Sequence, residues 1–414
     1  MYTIVQINTV AVNGSTGSIA EGIGVAAIER GYNSVIAYGR NNPSISKSKL
    51  FRIGNEFCVR EHVLETRLFD RQGLASKKAT SSFIKHLKDV KPDIVHLHNI
   101  HGNYINYQIL FEYLSKNHMP VVWTIHDCWP FTGHCVHYTA VNCSKWKTKC
   151  FDCPRLKSYP QSLWLDRSRQ NYIDKKCAFT SVNQMIVVPV SNWLGGVLHD
   201  SFLNKYPIRP IHNGIDIKSF YPRPEAVKKI RKKHQLSNKF VILGVATGWS
   251  KENGLYDFIE LRKRLDDYYT IVLVGVTDKV KKILPQGIIG IYRTDSQSEL
   301  AELYTTADIF INGSFEETFG LVTAEAMACG TPVIVYNSTA CPEIVTPETG
   351  YIVAVGNIDE IVDCIKKQEK KTEDEIIKQS MICSNYICDN FDKQVKYNEY
   401  LDLYDEILNY SLKE

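Results

Sequence analysis

The sequence predicts an α/β protein of two doubly wound domains, each built on a parallel sheet. The chain has 414 residues, of which 44% are hydrophobic and 23% charged, so it is long enough for two globular domains. Short runs rich in Val and Ile, with little alternation, are typical of strands covered on both faces. Segments of helical composition separate these runs, and strands that alternate with helices form parallel sheets.

The predicted strands number eleven, which is too many for one sheet of ordinary size. They are Thr3–Val10, Ser34–Gly39, Asp93–Ile100, Pro120–Asp127, Met185–Ser191, Ile208–Ile215, Phe240–Thr247, Thr270–Val276, Ile288–Tyr292, Ala307–Ser314 and Pro332–Tyr336. Helices are expected at Ser18–Arg30, Ser82–Asp89, Asp257–Asp266, Ser298–Thr305, Thr318–Cys329 and Lys393–Leu412.

The joint between the two domains is expected between Ser191 and Pro210. We therefore predict an N-terminal domain over 1–200, with a Cys-rich insertion over 127–160, and a C-terminal domain over 201–390. The segment 391–414 reads as an amphipathic helix that crosses back to the N-terminal domain.

Charge and hydropathy restrict the class of protein. The formal net charge of +4 is too small and too dispersed to indicate a nucleic-acid partner, although a mild basic excess is compatible with anionic substrates or a membrane surface. Met1 leads directly into an apolar run without a basic leader, and no apolar run approaches the length of a membrane helix. We therefore expect a cytoplasmic protein, with the inner face of the plasma membrane as a place of peripheral association.

The strongest motif lies near the end of the predicted strand Ala307–Ser314. It reads Glu-Thr-Phe-Gly-Leu-Val-Thr-Ala-Glu-Ala-Met-Ala-Cys-Gly-Thr-Pro-Val and begins at Glu317, with its second carboxylate at Glu325. A helix that starts at Thr318 would offer the amides of its first turn to an anion at the carboxyl edge of the sheet. An isolated glutamate here would more simply cap the helix or face solvent, but the whole string favours a binding site.

Two carboxylates eight positions apart, followed by Ala-Met-Ala-Cys-Gly-Thr-Pro-Val-Ile, resemble the donor-binding signature of family 4 glycosyltransferases with the GT-B fold. Further matches are Asn13-Gly-Ser-Thr-Gly17, Thr124-Ile-His-Asp127, Val190-Ser-Asn-Trp193, Asn213-Gly-Ile-Asp216 and Pro342-Glu343. The resemblance implies two Rossmann-like domains that face each other across a cleft, the first on the acceptor side and the second binding a nucleotide sugar. It also suggests bacterial surface-polysaccharide biosynthesis.

The resemblance implies a role for each matched position. Glu325 would hold the ribose hydroxyls of the nucleotide, and Glu317 would hold hydroxyls of the donor sugar, because a carboxylate accepts strong hydrogen bonds from hydroxyls. His126 would lie beside the sugar. The remaining donor-binding positions would contact the diphosphate, and they are Phe319, Gly320, Leu321, Val322 and, from the N-terminal domain, Gly17.

One loop departs from the family pattern. Members usually carry an Arg and then Lys-Gly after the strand that corresponds to Phe240–Thr247, whereas this chain has Trp249 and Asn253 near those positions. Lys251 is the one cation in the loop Gly248–Gly254. It either contacts the leaving diphosphate as a catalytic group or is an ordinary solvated lysine.

Five cysteines crowd into the predicted insertion. Cys135, Cys143, Cys150 and Cys153 include one Cys-x2-Cys pair and suit a structural zinc site, although their wider gaps are not a standard finger spacing. Disulfides are disfavoured in a reducing compartment. Unligated core cysteines are the simpler alternative, and no recognisable Cys-His-Asn pattern frames a catalytic thiol.

The implied reaction moves a sugar from a nucleotide diphosphate to a hydroxyl of a glycan or a lipid-linked glycan acceptor, with retained anomeric configuration. The resemblance implies no catalytic metal or cofactor. Diphosphate is a good leaving group, so the enzyme mainly positions the partners and stabilises developing charge. Two alternatives stay open: a sugar-nucleotide epimerase on the same frame, and a catalytically silent protein that binds sugar nucleotides or glycans.

Overall fold

The computed structural model describes residues 1–411 and divides into two compact units. Unit 1 comprises Met1–His212 and the described residues from Gln394 onward, and unit 2 comprises Asn213–Lys393. Each unit contains one six-stranded, all-parallel sheet, so the predicted pair of doubly wound α/β domains is confirmed.

The sheet of unit 1 runs in the order β3-β2-β1-β4-β5-β6. Its strands are β1 (Thr3–Asn8), β2 (Asn33–Tyr38), β3 (Lys49–Arg52), β4 (Ile94–Leu97), β5 (Val121–Ile125) and β6 (Met185–Pro189). Its helices are α1 (Gly14–Glu29), α2 (Glu56–Phe69), α3 (Lys77–Val90), α4 (Tyr107–Lys116), α5 (Ser168–Phe179) and α6 (Asn192–His199). In register, Ile7 lies between Ala37 on β2 and Leu97 on β4, and all three are buried.

The sheet of unit 2 runs in the order β12-β11-β10-β7-β8-β9. Its strands are β7 (Phe240–Val245), β8 (Tyr269–Val274), β9 (Ile288–Ile291), β10 (Ile309–Asn312), β11 (Val333–Tyr336) and β12 (Gly350–Val353). The helices that follow α6 in the chain are α7 (Val227–Lys233), α8 (Leu255–Arg264), α9 (Asp278–Lys281), α10 (Gln297–Thr306), α11 (Leu321–Ala328), α12 (Ile358–Glu369), α13 (Glu373–Phe391) and α14 (Lys393–Ser411).

The last helix, α14, packs into the core of unit 1. Its buried stripe includes Tyr397, Leu401 and Tyr404, which lie in one cluster with Ile4 of β1 and Ile23 of α1. The prediction for this helix extended to Leu412, which lies outside the described residues. Within residues 1–411 no helix combines the length and the apolar character needed to cross a membrane.

The segment 208–215 is not the strand that its apolar pattern predicts. The backbone of 207–211 instead runs beside β6: Val187 N–H donates to Pro207 O at 3.0 Å, and Ile211 N–H donates to Pro189 O at 3.1 Å. These bonds keep the segment within unit 1, and the division between the units falls after His212 rather than after residue 200. The short strands β3 and β12 were not predicted, since only four residues form each of them.

Candidate functional site

The candidate site in unit 2 lies at the point in the sheet where the strand order reverses. The strands β7 and β10 are neighbours, but β8 and β9 lie on one side of the pair while β11 and β12 lie on the other. The loops after β7 and β10 meet there, because Phe315 N–H donates to Glu252 O at 2.8 Å. A Cβ on Gly254 would come within 2.5 Å of Gly313 O, so this approach requires glycine. Open α/β sheets bind ligands at such reversal points.

Glu325 projects from α11 beside the aromatic side chain of Tyr304. The Tyr304 hydroxyl donates to Glu325 Oε2 at 3.2 Å, and the glutamate is half-buried. Burial raises the pKa of Glu325 to about 7, which the hydrogen bond from Tyr304 partly opposes. The Tyr304 hydroxyl therefore orients the carboxylate, and burial limits its contact with water. A carboxylate held in this way can accept hydrogen bonds from the hydroxyls of a ligand.

Glu317 lies in the loop between β10 and α11. Its backbone N–H donates to Thr339 Oγ1 at 2.9 Å, which anchors the loop to the segment after β11. Burial raises the pKa of Glu317 to about 7, against hydrogen bonds from Ser314 and Asn312 that lower it. Both predicted carboxylates thus lie in the segment that leads from β10 into α11. Burial raises the pKa of both to about 7.

The helix α11 begins later than predicted, at Leu321 instead of Thr318. Gly320 precedes it in the left-handed region, with φ 94°, a conformation that glycine adopts without strain. Leu321 and Val322 therefore occupy the first turn, where backbone N–H groups lack partners in the helix and favour an anion. Phe319 lies before the helix, and its buried ring packs edge-on against Phe391 at 5.7 Å.

In the loop 248–254, the tryptophan found near the expected arginine position is a core residue. Trp249 Nε1 donates to Val274 O at 2.9 Å, and its ring meets Phe258 edge-on at 5.3 Å. Lys251 is exposed and lies close enough to Asp257 to lower the pKa of that carboxyl, although burial raises it overall. The structure therefore gives Trp249 a packing role and leaves the role of Lys251 as a prediction.

Unit 1 has its own reversal point, between β1 and β4. Thr9 Oγ1, after β1, donates to Asn99 O at 3.0 Å in the loop after β4. Gly17 lies in the first turn of α1, where a Cβ would meet Val10 Cγ2 at 3.2 Å and backbone atoms of the same loop at 3.3 Å. Gly17 thus lets α1 pack closely on the loop that precedes it, and its contact with a diphosphate stays a prediction.

His126 follows β5 at the same edge of the sheet. Its Nε2 lies 3.1 Å from His98 Nδ1, at the end of the neighbouring strand β4. Burial lowers the pKa of His126 to about 4, and the carboxylate of Asp127 opposes that shift only in part. The imidazole is therefore neutral near pH 7. Asp127 itself pairs with His101 Nε2 at 2.7 Å.

The Cys-rich insertion places its four predicted ligands around one cavity of about 10 Å³, lined by Cys135, Cys143, Cys150 and Cys153. All four are free thiols. A hydrogen bond from Cys135 to Cys153 raises the pKa of the first thiol and lowers that of the second to about 7. Gly133 N–H also donates to Cys150 Sγ at 3.2 Å.

The arrangement of these thiols in the structure is not that of a metal site. In the part of the chain that the structure describes, no group of three or more His, Cys, Asp or Glu side chains is arranged to hold a metal ion. The zinc prediction therefore stays a prediction, supported by the convergence of the thiols on one cavity.

Sequence reasoning missed several polar residues at these edges. Tyr304 orients Glu325 from α10, and no local motif marks it. His98 contacts His126 from the end of the neighbouring strand β4, and the run His96-Leu-His-Asn-Ile-His101, which begins inside that buried strand, was the available signal. Gln6, inside β1, is a polar residue with only 1% exposure, and a buried glutamine in an otherwise apolar strand needs a partner.

Comparison with known proteins agrees with this arrangement. The family described as Glycosyltransferase Family 4 matches residues 21–219, and that described as Glycosyl transferases group 1 matches residues 226–382. A glycosyl transferase of Escherichia coli (strain K12), named for colanic acid biosynthesis, is 23% identical over 401 residues, covering 88% of this chain and 90% of that protein.

Solved structures show the same fold. Sucrose-phosphate synthase from Thermosynechococcus elongatus superposes with a TM-score of 0.71 at 16% identity, over 99% of this chain and 100% of that one. Alr3699/HepE from Anabaena, solved in complex with UDP-glucose, superposes with a TM-score of 0.68 at 15% identity, over 98% and 100% of the two chains. With two six-stranded parallel sheets and matches to both family descriptions, the chain belongs to the family 4 glycosyltransferases of the GT-B fold.

Proposed function

We propose that this protein transfers a sugar, with retention of anomeric configuration, from a nucleotide diphosphate sugar to a hydroxyl of a glycan or lipid-linked glycan. The observation that carries the proposal is the pair Glu317 and Glu325, which flank the start of α11 at the reversal point of the second sheet. Carboxylates beside helix amides match a ligand that combines sugar hydroxyls with a diphosphate.

The relatives suggest the substrate class. One is named for colanic acid biosynthesis, and another, from Campylobacter jejuni, is named as an N-acetylgalactosaminyltransferase acting on a diphospho-undecaprenol-linked sugar. The second is 26% identical over 243 residues, covering 56% of this chain and 63% of that protein. We propose a role in bacterial surface-polysaccharide assembly, on the cytoplasmic side of the membrane.

An apolar surface of unit 1 supports peripheral membrane association. Leu64 and Phe69 of α2 are exposed, as are Leu163, Trp164 and Leu165 in the segment just before α5. Leu163 N–H donates to Arg67 O at 2.8 Å. Trp164, 65% exposed, suits the boundary between lipid and water. We expect sedimentation with anionic vesicles and its loss in Trp164→Ser. Equal sedimentation of the wild type and Trp164→Ser would contradict a role of this surface in membrane binding.

The donor is tested first by binding. A panel of nucleotide sugars, beginning with UDP-glucose, is screened by thermal shift, because a ligand that binds the folded state stabilises it. Glu325→Ala should weaken nucleotide binding by about 1.5–3 kcal/mol, the contribution of a charged hydrogen-bond partner. Glu348→Ala, an exposed glutamate of the same unit, is the control. Unchanged nucleotide affinity in Glu325→Ala, measured by calorimetry, would contradict the assignment.

Transfer is tested with the best donor from that screen. Glu317→Ala and Lys251→Ala should reduce turnover, the latter by about 10- to 1,000-fold if its ammonium stabilises the leaving diphosphate. Lys251→Arg should keep part of the activity, and Lys366→Ala, an exposed lysine on α12, should keep all of it. Donor consumption that depends on a glycan acceptor separates a transferase from an epimerase or a silent binding protein. Wild-type turnover in Lys251→Ala would remove Lys251 from the mechanism.

A further inference from the structure

We propose that unit 1 contains a groove for a neutral sugar ring, formed between the Cys-rich insertion and α6, and that this groove holds part of the acceptor glycan. The role in acceptor binding rests on the proposed function, whereas the geometry rests on unit 1 alone. The groove has a volume of about 580 Å³, within the range of ligand-binding clefts, and its walls include Tyr138, Trp146 and Trp193.

The first wall is a part of the insertion whose backbone is fixed by local bonds. The ring of Trp146 is buried and packs against the ring of Tyr138, with the ring centres 4.9 Å apart. Trp146 Nε1 donates to Cys143 O at 3.1 Å, and Asn142 N–H donates to Thr139 O at 2.8 Å. Asn142 is exposed and has a left-handed backbone, with φ 47°. The wall therefore presents an amide side chain and an aromatic pair without rearrangement.

The second wall is the helix α6, which contains two adjacent glycines. A Cβ on Gly195 would lie 3.3 Å from Pro210 Cγ and 3.5 Å from Pro189 Cγ, so close packing accounts for this glycine. A Cβ on Gly196 would meet no heavy atom of residues 1–411 within 4 Å. Glycine destabilises a helix interior relative to alanine, and packing within the described chain gives no reason for it here. Gly196 lines the groove, where a bare backbone lets a ligand approach closely.

The charges of the groove cancel each other. Lys147 Nζ of the insertion pairs at 2.6 Å with Oδ2 of Asp200, the residue that follows α6, and this contact joins the two walls. Both side chains stay about half exposed, at 47% and 55%. Among the described residues that line the groove, no others are charged. A lining without net charge gives no attraction for a phosphate or a nucleotide, which favours a neutral ligand.

The class of ligand follows from the remaining side chains. A pyranose ring has a face of C–H groups, which packs on aromatic rings, and an edge of hydroxyls, which bond to amides and carboxylates. Aromatic rings lie on both walls, at Tyr138 and Trp193, and both residues are partly exposed. Asn142 and Asp200 supply polar groups. The insertion and α6 follow β5 and β6, so the groove begins at the carboxyl edge of the sheet, where α/β domains bind ligands.

The first test is a titration of the full chain with simple sugars. The probes are the methyl glycosides of glucose, galactose, mannose and N-acetylglucosamine, and the signals are the indole ¹H–¹⁵N resonances of ¹⁵N-tryptophan-labelled protein, assigned with Trp193→Phe and Trp164→Ser. We expect at least one glycoside to shift the Trp193 signal, with a Kd on the order of 1 mM. Trp164 is exposed in the same unit but outside the groove, and its signal should stay in place. Inorganic phosphate should leave both signals unchanged.

The second test blocks the groove. Gly196→Leu places a side chain in the open space and should weaken glycoside binding by at least about 10-fold, while the helix-favouring leucine keeps the melting temperature from falling. His199→Leu adds the same side chain at an exposed position of α6 outside the groove and should bind like the wild type. Asn142→Gly keeps the left-handed backbone but removes the amide, and it should weaken binding by about 2- to 10-fold.

Each result decides the proposal. A Trp193 signal that none of the glycosides moves overturns it, and so does a groove that binds phosphate instead of sugar. Unchanged glycoside affinity in Gly196→Leu also overturns it, and if that variant does not fold, unchanged affinity in Asn142→Gly does so.

The titration needs no sugar donor, so it separates this inference from the proposed function. Glycoside binding in the groove of a protein that transfers no sugar would refute the proposed function alone. Acceptor-dependent transfer with the same KM for the acceptor in the wild type and in Gly196→Leu would refute this inference alone.

Discussion

Glu325 illustrates at the scale of one residue how a binding group costs stability. Its pKa is raised from an ordinary 4.5 to about 7 because burial removes water from the carboxylate. The folded protein therefore binds a proton at this site more readily than the unfolded chain does. Stability should consequently fall as the pH rises from about 4.5 through about 7, and the penalty should be fully present above that window.

We therefore expect Glu325→Gln, which keeps the shape and removes the charge, to raise the melting temperature at pH 8 by about 2–4 °C. The difference should vanish below about pH 4.5, where the carboxyl is protonated in both states. Glu348→Gln, at an exposed position, should show no such pH-dependent gain. Thermal unfolding from pH 4 to pH 8 measures this, and equal melting of the wild type and Glu325→Gln at pH 8 would contradict the assigned pKa.

At the scale of an element, the insertion between β5 and α5 is irregular in backbone but has a defined interior. Trp129, Phe131 and Trp146 are buried, with the ring of Phe131 edge-on to that of Trp146 at 5.1 Å. Lys175 of α5 donates to Trp129 O at 2.8 Å and to Thr132 O at 3.0 Å from a fully buried position. Burial lowers the pKa of Lys175 to about 7, and the charge of Lys175 lowers the pKa of the Cys150 thiol, although burial raises that pKa overall to about 11.

If the four thiols around the cavity bind zinc, freshly purified protein should contain about one zinc per chain, because four thiolates complete a structural site. Cys150→Ser should lose the metal and loosen the insertion, whereas Cys177→Ser, an exposed cysteine on α5, should keep it. Elemental analysis and thiol titration measure both. Zinc-free protein in which all four thiols react freely would show that these are ordinary buried cysteines.

Over the whole molecule, the long periodic segments were predictable and the short or non-local features were not. The run Tyr269–Val274 is buried at every position, so its apolar character alone indicates a central strand. By contrast, Ile208–Ile215 has isoleucines at only three positions and is interrupted by Pro210 and Gly214. Its first part lies beside β6 as a connection and forms no regular strand. Trp249 stands in a loop in the sequence, and only the fold shows its ring in the core.

The candidate site was inferred from its two carboxylates, Glu317 and Glu325, which belong to one local string in the sequence. The start of α11 was placed three residues early because the conformation of Gly320, rather than the composition after Thr318, decides where the helix begins. Within unit 2, Tyr304 contacts Glu325 from another helix, and within unit 1, His98 contacts His126 from the end of another strand. No spacing within one segment could have indicated them.

The topology of α14 leads to the last prediction. This helix follows unit 2 in the chain but contributes Leu401, which has 0% exposure, to the core of unit 1. Leu401→Ala should therefore destabilise unit 1 by about 2–5 kcal/mol, through lost burial and the cavity left behind. Val395→Ala, at a half-exposed position of the same helix, should change stability by less than about 0.5 kcal/mol. Hydrogen exchange should quicken in β1 and α1, which pack on this helix, and stay unchanged in β7 and β8. Equal acceleration in both sheets, or none in β1, would show that α14 is not a part of the first core.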